Sequence, residues 1–492
     1  MQSVVHAPCG GLRGVREKDV HIFRNVAYAA APIGELRFWP PEALPPWQGV
    51  RDASVDGPVP PQGKSRLVAV TGGDFTVPQS EDCLTLTVTT PSPEGRRPVM
   101  VWIHGGGFLG GAGSSPWYAG HFLALREDVV VVSLNFRQGV LGHLYLPGVS
   151  SGNLALQDIV AGLRWVRDNI QAFGGDPSCV TVFGQSSGAV AALSLLDVPA
   201  AEGLFQRVIS QSAPLGRPLR TAAQGVELGE RFAKKLGVDA GDRAAFCAVP
   251  THALLAAQLE FARTFHASVI GASEQPFAPV QDGHILMKRG EGWGHQKNAA
   301  VSVMIGTLRE EQAAAYFIDP AVQSATWQQV ADTLQFVAGT SGPDLIAWYK
   351  AQRLECTPVS VLTDLFTDVL FRLDTLRFAD AMQRSTRCWV YQFDWPSPAG
   401  FGACHCLELP FVFGTFEAFG DAPMLKGATA ATTQGLSESM QDAWAAFARD
   451  GDPNTETLPE WVSYANQRAT LCLDRHVQCL SDLANFASHP LR

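Results

Sequence analysis

Three short runs of almost uninterrupted apolar residues constrain most strongly how this chain can fold. They are Val99-Met100-Val101-Trp102-Ile103, Val129-Val130-Val131-Val132-Ser133-Leu134 and Cys179-Val180-Thr181-Val182-Phe183. None shows the apolar–polar alternation of a half-solvated strand, so each suits a strand covered on both faces, as in a largely parallel sheet. Helical periodicity separates them. From Asn153 to Phe173, the residues Leu156, Val160, Leu163, Val166 and Ile170 recur at three-to-four spacing, and the pattern stops before Gly174-Gly175-Asp176-Pro177. Further strand candidates are Arg207–Ser210, Val301–Ile305, Cys388–Phe393 and Thr470–Leu473. This alternation predicts an α/β fold with helices on both faces of the sheet. Residues 1–70, rich in Gly and Pro with apolar stretches such as Val20–Phe23, read as small antiparallel strands and turns. Residues around 220–300 and 320–385 read as mostly helical insertions that cap a sheet edge. A single domain spanning 1–492 is the expectation.

Composition narrows the function classes. The chain has 492 residues, 46% hydrophobic and 17% charged, with a formal net charge of -10. No basic block stands out, so neither nucleic acid nor an anionic membrane surface is an expected partner. No apolar run approaches the roughly 20 residues that span a bilayer. The first twenty residues lack the apolar core of an export signal. The ten cysteines are scattered without a CxxC pair, which fits free thiols better than a disulfide framework. A cytoplasmic enzyme is expected, with the choice between monomer and dimer open.

The pattern GxSxG occurs twice, and only its context gives it meaning. Gly148-Val149-Ser150-Ser151-Gly152 follows Pro147 with no strand leading in. Gly184-Gln185-Ser186-Ser187-Gly188 follows the strand Val180–Phe183 and opens the apolar helix 189–196. A nucleophilic serine needs that sharp strand-to-helix turn, because it lifts the hydroxyl clear of the backbone. The helix N-terminus also favours negative charge developing on substrate. Ser186 is therefore the candidate nucleophile and Ser150 a decoy.

A second glycine-rich stretch, His104-Gly105-Gly106-Gly107-Phe108, directly follows the run Val99–Ile103. Attack on an acyl carbonyl creates an oxyanion that needs two or three preorganised N–H donors. Gly106 and Gly107 can supply two without side chains in the way, and the N–H of Ser187 a third. A phosphate cradle is the alternative use of such a loop, but neither GxxxxGK[ST] nor GxGxxG spacing is present. Cys404-His405-Cys406 invites a metal reading, yet neighbouring side chains rarely converge on one ion and no further ligand cluster is apparent. No metal or cofactor is expected.

With these motifs in place the chain resembles the type-B carboxylesterases, the family of para-nitrobenzyl esterases, liver carboxylesterases and cholinesterases. Tyr28-Ala29-Ala30-Ala31-Pro32-Ile33-Gly34-Glu35-Leu36-Arg37-Phe38 resembles the family's N-terminal block, and Ser80-Glu81-Asp82-Cys83-Leu84 its SEDCL block. Trp165, Asp168-Asn169-Ile170 and Phe173 to Pro177 match the helix before the elbow. Ala446-Phe447-Ala448 and Gly451-Asp452-Pro453-Asn454 match the C-terminal block. The resemblance implies the α/β-hydrolase fold and hydrolysis of small-molecule carboxylic esters through an acyl-enzyme on Ser186. It implies Glu311, in Gly306-Thr307-Leu308-Arg309-Glu310-Glu311-Gln312, as the acid. His405, ahead of Glu408-Leu409-Pro410-Phe411-Val412-Phe413-Gly414, becomes the general base. The order Ser, Glu, His is the one this fold uses. Also implied are buried ion pairs Arg37–Glu81 and Arg137–Asp158, and a supporting contact from Ser212 to Glu311.

The departures from the family pattern are local. Gln185 replaces the usual Glu, Ser187 the usual Ala, Ala213 a Gly, and Gln312 the Gly after the acid. Cys83 occupies a family disulfide position but lacks its usual partner. Gly63–Gln79 is short and lacks the tryptophan of a choline site, which argues against cholinesterase activity. Non-catalytic adhesion proteins of the same fold lack the nucleophile, whereas all three triad positions are filled here. Amide or carbamate hydrolysis would use the same residues. Of the adjacent acids, Glu310 is expected to face solvent or a cationic partner while Glu311 meets His405, provided the backbone there is extended.

Overall fold

In the computed structural model all three apolar runs become strands of one 13-stranded sheet. It describes residues 2–491 apart from 66, 74–76, 266–268, 272–274, 289–300, 340–341, 354, 466 and 484. In chain order the strands are β1 (Gln2–Ala7), β2 (Gly10–Glu17), β3 (Val20–Ala27), β4 (Val50–Asp52), β5 (Thr85–Thr90), β6 (Arg97–Ile103) and β7 (Val130–Leu134). They continue as β8 (Gly175–Gln185), β9 (Arg207–Gln211), β10 (Ser302–Leu308), β11 (Cys388–Phe393), β12 (Ala469–Leu473) and β13 (Gln478–Ser481). Across the sheet the order is β1-β2-β3-β5-β7-β6-β8-β9-β10-β11-β12-β13, with β4 beside β2. Every neighbour from β7 to β12 is parallel. The N-terminal hairpins and the last strand are antiparallel.

Burial on both faces explains the uninterrupted apolar runs. Val99, Val101 and Ile103 pack with Ile159, Leu163 and Val166, while Met100 and Trp102 point the other way among Trp444, Phe447 and Phe413. All five β6 residues named are fully buried. Trp102 alone contacts the rings of Tyr118, Phe183 and Phe413 at centroid distances of 4.9, 4.8 and 4.9 Å. Each such side chain contributes about 1.5–3 kcal/mol of burial.

The expected helix over 153–173 is α1 (Leu154–Asn169), prolonged by a 3-10 turn Ile170–Phe173 and closed by Gly174 at φ 77. A Cβ on Gly174 would lie 2.3 Å from Ser92 O, so glycine is required there for space as well as for its backbone. The helix after the elbow is α2 (Ser187–Ser194).

Both excursions carry helices, and the first also holds two short strands, Arg220–Thr221 and Val280–Gln281, paired with each other. In 220–300 lie Ala222–Leu236, started by a Thr221–Gln224 capping box, then Arg243–Ala248 and Thr251–Ala262. These gather around Phe232, Phe246, Leu254, Phe261 and Phe277. Residues 289–300 of that excursion fall outside the described residues. In 320–385 lie Trp327–Ala338, Gly342–Ala351, α3 (Pro358–Thr367) and α4 (Leu373–Met382). A π turn, Asp368–Arg372, joins α3 to α4. Among the described residues no helix is long and apolar enough to cross a membrane.

Both ion pairs anticipated from the resemblance are present. Arg137, 3% exposed, donates to Asp158 Oδ2 from Nε at 2.8 Å and to Oδ1 from Nη2 at 2.6 Å. Its remaining nitrogen reaches Trp39 O at 2.7 Å. Arg37 grips Glu81 with Nε at 2.7 Å and also donates to the carbonyls of Cys247 and Val249. Thus β7, α1 and the first excursion are tied to the N-terminal segment. All ten cysteines are free thiols.

Candidate active site

Because β6, β8, β9 and β10 run parallel side by side, the loops leaving their C-terminal ends meet at one edge of the sheet. Ser186 follows directly on β8 with φ 56 and ψ -125, a left-handed strained turn at the N-cap of α2. Its N–H donates to Gln211 O at 2.8 Å, which fixes the elbow to the end of β9. The flanking glycines are there for close passage. A Cβ on Gly188 would lie 2.1 Å from Ile103 O, and one on Gly184 would lie 2.6 Å from Gly188 O. The other GxSxG serine is held differently: Ser150 and Ser151 form a two-residue strand against Tyr145–Leu146. Ser150 Oγ accepts the N–H of Gly152 at 3.1 Å.

The His104–Phe108 loop lies against the elbow. A Cβ on Gly105 would come within 3.1 Å of Ser186 Cβ. Gly106 (φ 131) and Gly107 (φ 64) adopt backbone that side chains resist, and a Cβ on Gly106 would strike Gly110 O at 2.0 Å. Among the described residues nothing accepts a hydrogen bond from the N–H of Gly106 or Gly107. Ser187 is the first residue of α2, so its N–H has no intrahelical acceptor either. The loop is braced elsewhere: Gly111 N–H donates to Gln62 Oε1 at 2.6 Å and Gly139 N–H to Phe108 O at 2.7 Å. His104 stacks on Phe136, and burial pushes its imidazole down to about 4, so it is neutral.

The acid and base positions meet. His405 Nδ1 stands 2.6 Å from Glu311 Oε2, and Glu311 Oε1 accepts the N–H of Leu308 at 2.8 Å. Glu311 is 1% exposed and His405 9%. Burial acts to lower the His405 pKa, but the Glu311 carboxylate, helped by Glu408, more than offsets it, so the imidazole titrates above its ordinary range. His405 Nε2 lies 3.2 Å from the amide nitrogen of Gln185, the residue before Ser186. Nucleophile, acid and base candidates therefore converge from β8, β10 and the loop after β11.

Two expectations need correction. Ser212 does not support Glu311 through a hydrogen bond: its hydroxyl is buried and makes none. Ser212 sits at φ 54, and its N–H donates to Gly306 O, at the end of the β9–β10 ladder. The backbone at Glu310-Glu311 is also a turn, not an extension of the strand. The two carboxylates still part company, Glu311 to His405 and Glu310 to Arg353 and the N–H of Ala403.

Three neighbours went unrecognised in the sequence. Glu408 is fully buried, and burial, reinforced by Glu311, pushes its carboxyl up to about 7. Its Oε1 accepts from Gln211 Nε2 at 3.3 Å. Glu408 stood in the motif only as a landmark. Phe371, on the π turn, packs its ring 5.3 Å from that of His405. Arg372 beside it donates to Arg309 O at 2.8 Å. Neither has a local sequence signal, because each arrives from a distant insertion. Among the described residues no group of three or more His, Cys, Asp or Glu is arranged to hold a metal ion.

Comparison with known proteins gives the family. Residues 1–485 match the model of the Carboxylesterase family. The chain is 36% identical to a para-nitrobenzyl esterase of Bacillus subtilis (strain 168), over 97% of this chain and 96% of that one. It is 35% identical to a phenmedipham hydrolase of Pseudarthrobacter oxydans, over 98% and 97%. A solved thermophilic para-nitrobenzyl esterase superimposes with a TM-score of 0.85 at 33% identity, covering 100% of both chains. With an α/β-hydrolase fold and esterases as its relatives along its whole length, the chain belongs to the carboxylesterase family and is a carboxylic-ester hydrolase.

Proposed function

We propose that the chain hydrolyses small-molecule carboxylic esters through an acyl-enzyme on Ser186. The observation that carries this reading is the 2.6 Å contact between His405 and Glu311, with His405 Nε2 3.2 Å from the side chain preceding a serine held in a strained elbow. Ser186 Oγ attacks the carbonyl carbon as His405 Nε2 takes its proton. Glu311, bonded to Nδ1, keeps the imidazole in the tautomer whose Nε2 is free and stabilises the imidazolium that forms. The N–H groups of Gly106, Gly107 and Ser187 receive the oxyanion. His405 then returns the proton to the departing alcohol, and water repeats the sequence on the acyl-enzyme. Gln185 must give up Nε2 as the hydroxyl engages, a small movement of a neutral amide.

The helices of 220–300 and 320–385 act as a cap within one 1–492 domain, and the ten free thiols favour a reducing, cytoplasmic setting. A panel of chromogenic esters graded in acyl and alcohol size tests the activity: turnover lost in Ser186→Ala supports it. Undiminished turnover in that variant overturns it.

A further inference from the structure

We propose that Glu310 and Arg353 are positioning residues that clamp the His405 loop against the acid turn. This rests on the reading of His405 as the base. The two segments are zipped by three bonds. Glu310 N–H donates to Ala403 O at 3.1 Å, Ala403 N–H donates to Glu310 Oε2 at 2.8 Å, and His405 N–H reaches Glu311 O at 3.4 Å. The Glu310 side chain thus holds the backbone two residues from the imidazole. Gly402 makes room for it: at φ 62, a Cβ there would lie 2.7 Å from Glu310 Oε2.

The other carboxylate oxygen faces the second insertion. Arg353 Nη2 stands 3.3 Å from Glu310 Oε1, and the same guanidinium forks onto Asp364 of α3 at 2.6 and 2.7 Å. Glu310, Arg353 and Asp364 are only 15%, 23% and 15% exposed. The guanidinium thus holds Asp364 bidentately and shares Nη2 with Glu310, a partly buried bridge rather than a solvated ion pair. From Asp364 the chain runs into the π turn, whose Phe371 and Arg372 brace His405 and the acid turn from the same insertion. The excursion therefore sets the registry of acid and base as well as covering the site. Catalytic groups tolerate displacements of about 0.5 Å, and a 1 Å error costs on the order of 10² in rate.

The test compares Glu310→Ala, Glu310→Gln and Arg353→Gln with the wild type, reading kcat, KM, the acidic limb of kcat/KM and Tm on one chromogenic ester. In Glu310→Gln the side-chain amide carbonyl can still accept the Ala403 N–H while its NH2 faces Arg353, so this variant isolates the Ala403 bond and should keep kcat within about tenfold. Glu310→Ala removes that acceptor. It should lower kcat about 10- to 100-fold with KM within about twofold, the signature of a contribution made in the transition state. Its acidic limb should move to lower pH, because a displaced Glu311 raises the imidazole pKa less. Arg353→Gln should fall between the two.

A lowered Tm with kcat and the acidic limb unchanged in both Glu310→Ala and Arg353→Gln would overturn the proposal. Should Glu310→Ala not fold, Arg353→Gln decides by the same readings. A His405→Ala control separates the two readings. If that variant keeps its activity, the base assignment has failed. If it is inactive while Glu310→Ala is normal, only the clamp has failed.

Discussion

Replacing Glu311 by Gln removes the carboxylate charge that touches the His405 imidazole while nearly preserving volume. In the wild type, burial lowers the imidazole pKa, and the carboxylate at 2.6 Å together with Glu408 outweighs it. Without the carboxylate, burial acts against the remaining influences. These are Glu408, which favours the charged imidazole, and Arg217, which disfavours it. The adjacent Cys404 and Cys406 thiols stay neutral, since burial pushes both far up. A carboxylate in contact is worth about 1–3 pKa units, so the imidazole should drop by that amount, to below its unperturbed ~6.5. The base form then exists at lower pH than before. The acidic limb of kcat/KM should move down by about 1–3 pH units. The plateau should also fall about 10²- to 10⁴-fold, through loss of imidazolium stabilisation and of the correct tautomer.

The assay is kcat/KM on one chromogenic ester from about pH 4.5 to 9 at constant ionic strength, bracketing the unperturbed histidine value. Folding is checked by circular dichroism. Glu408 titrates near 7 and is coupled to the same imidazole, so Glu408→Gln is the necessary partner variant. It makes no hydrogen bond to the ring and should move the limb downward by less than about one unit. A limb that stays in place or moves up in Glu311→Gln refutes the reasoning. So does a larger displacement in Glu408→Gln.

Three further outcomes follow from the geometry. Gly106→Ala must shift the loop, because its Cβ would strike Gly110 O. At least one oxyanion donor should be lost, with kcat down about 10²- to 10³-fold. Arg137→Ala leaves Asp158 buried without its partner and should destabilise the protein by about 3–5 kcal/mol, read as a lower urea midpoint. The Cys404 and Cys406 thiols flank His405, but burial keeps both protonated. Iodoacetamide at pH 8 should therefore leave activity unchanged over an hour, and rapid loss would contradict that view.

What the sequence carried, and what it could not, divides along physical lines. Runs such as Val99–Ile103 are legible because burial on both faces writes an unbroken apolar signal into consecutive residues. The elbow is legible for the same local reason: Gly184 and Gly188 are required within four residues of one another by a backbone contact. Strand ends were less so. Val301–Ile305 in fact runs from Ser302 to Leu308, because Gly306 and Thr307 continue the ladder without looking apolar. Helix α1 likewise ends in a 3-10 turn that periodicity cannot see.

The site divides similarly. Glu311 and His405 came from family motifs, since nothing in residue chemistry singles out one histidine among twelve. The contacts of Phe371 and Arg353 were invisible, because they depend on how an insertion some sixty or forty residues beyond Glu311 folds back. Ser212 shows the opposite error. Its place in the motif suggests a side-chain bond to Glu311, whereas its hydroxyl is buried without a partner and its N–H bonds Gly306 O.

Whether one serine carries the acyl group is decided most directly by treating the protein with an organophosphate and mapping the adduct by mass spectrometry. One adduct per chain is expected, on the peptide containing Ser186, appearing in step with loss of esterase activity and absent from Ser186→Ala. An adduct on Ser150, or esterase activity surviving full modification of Ser186, would contradict it.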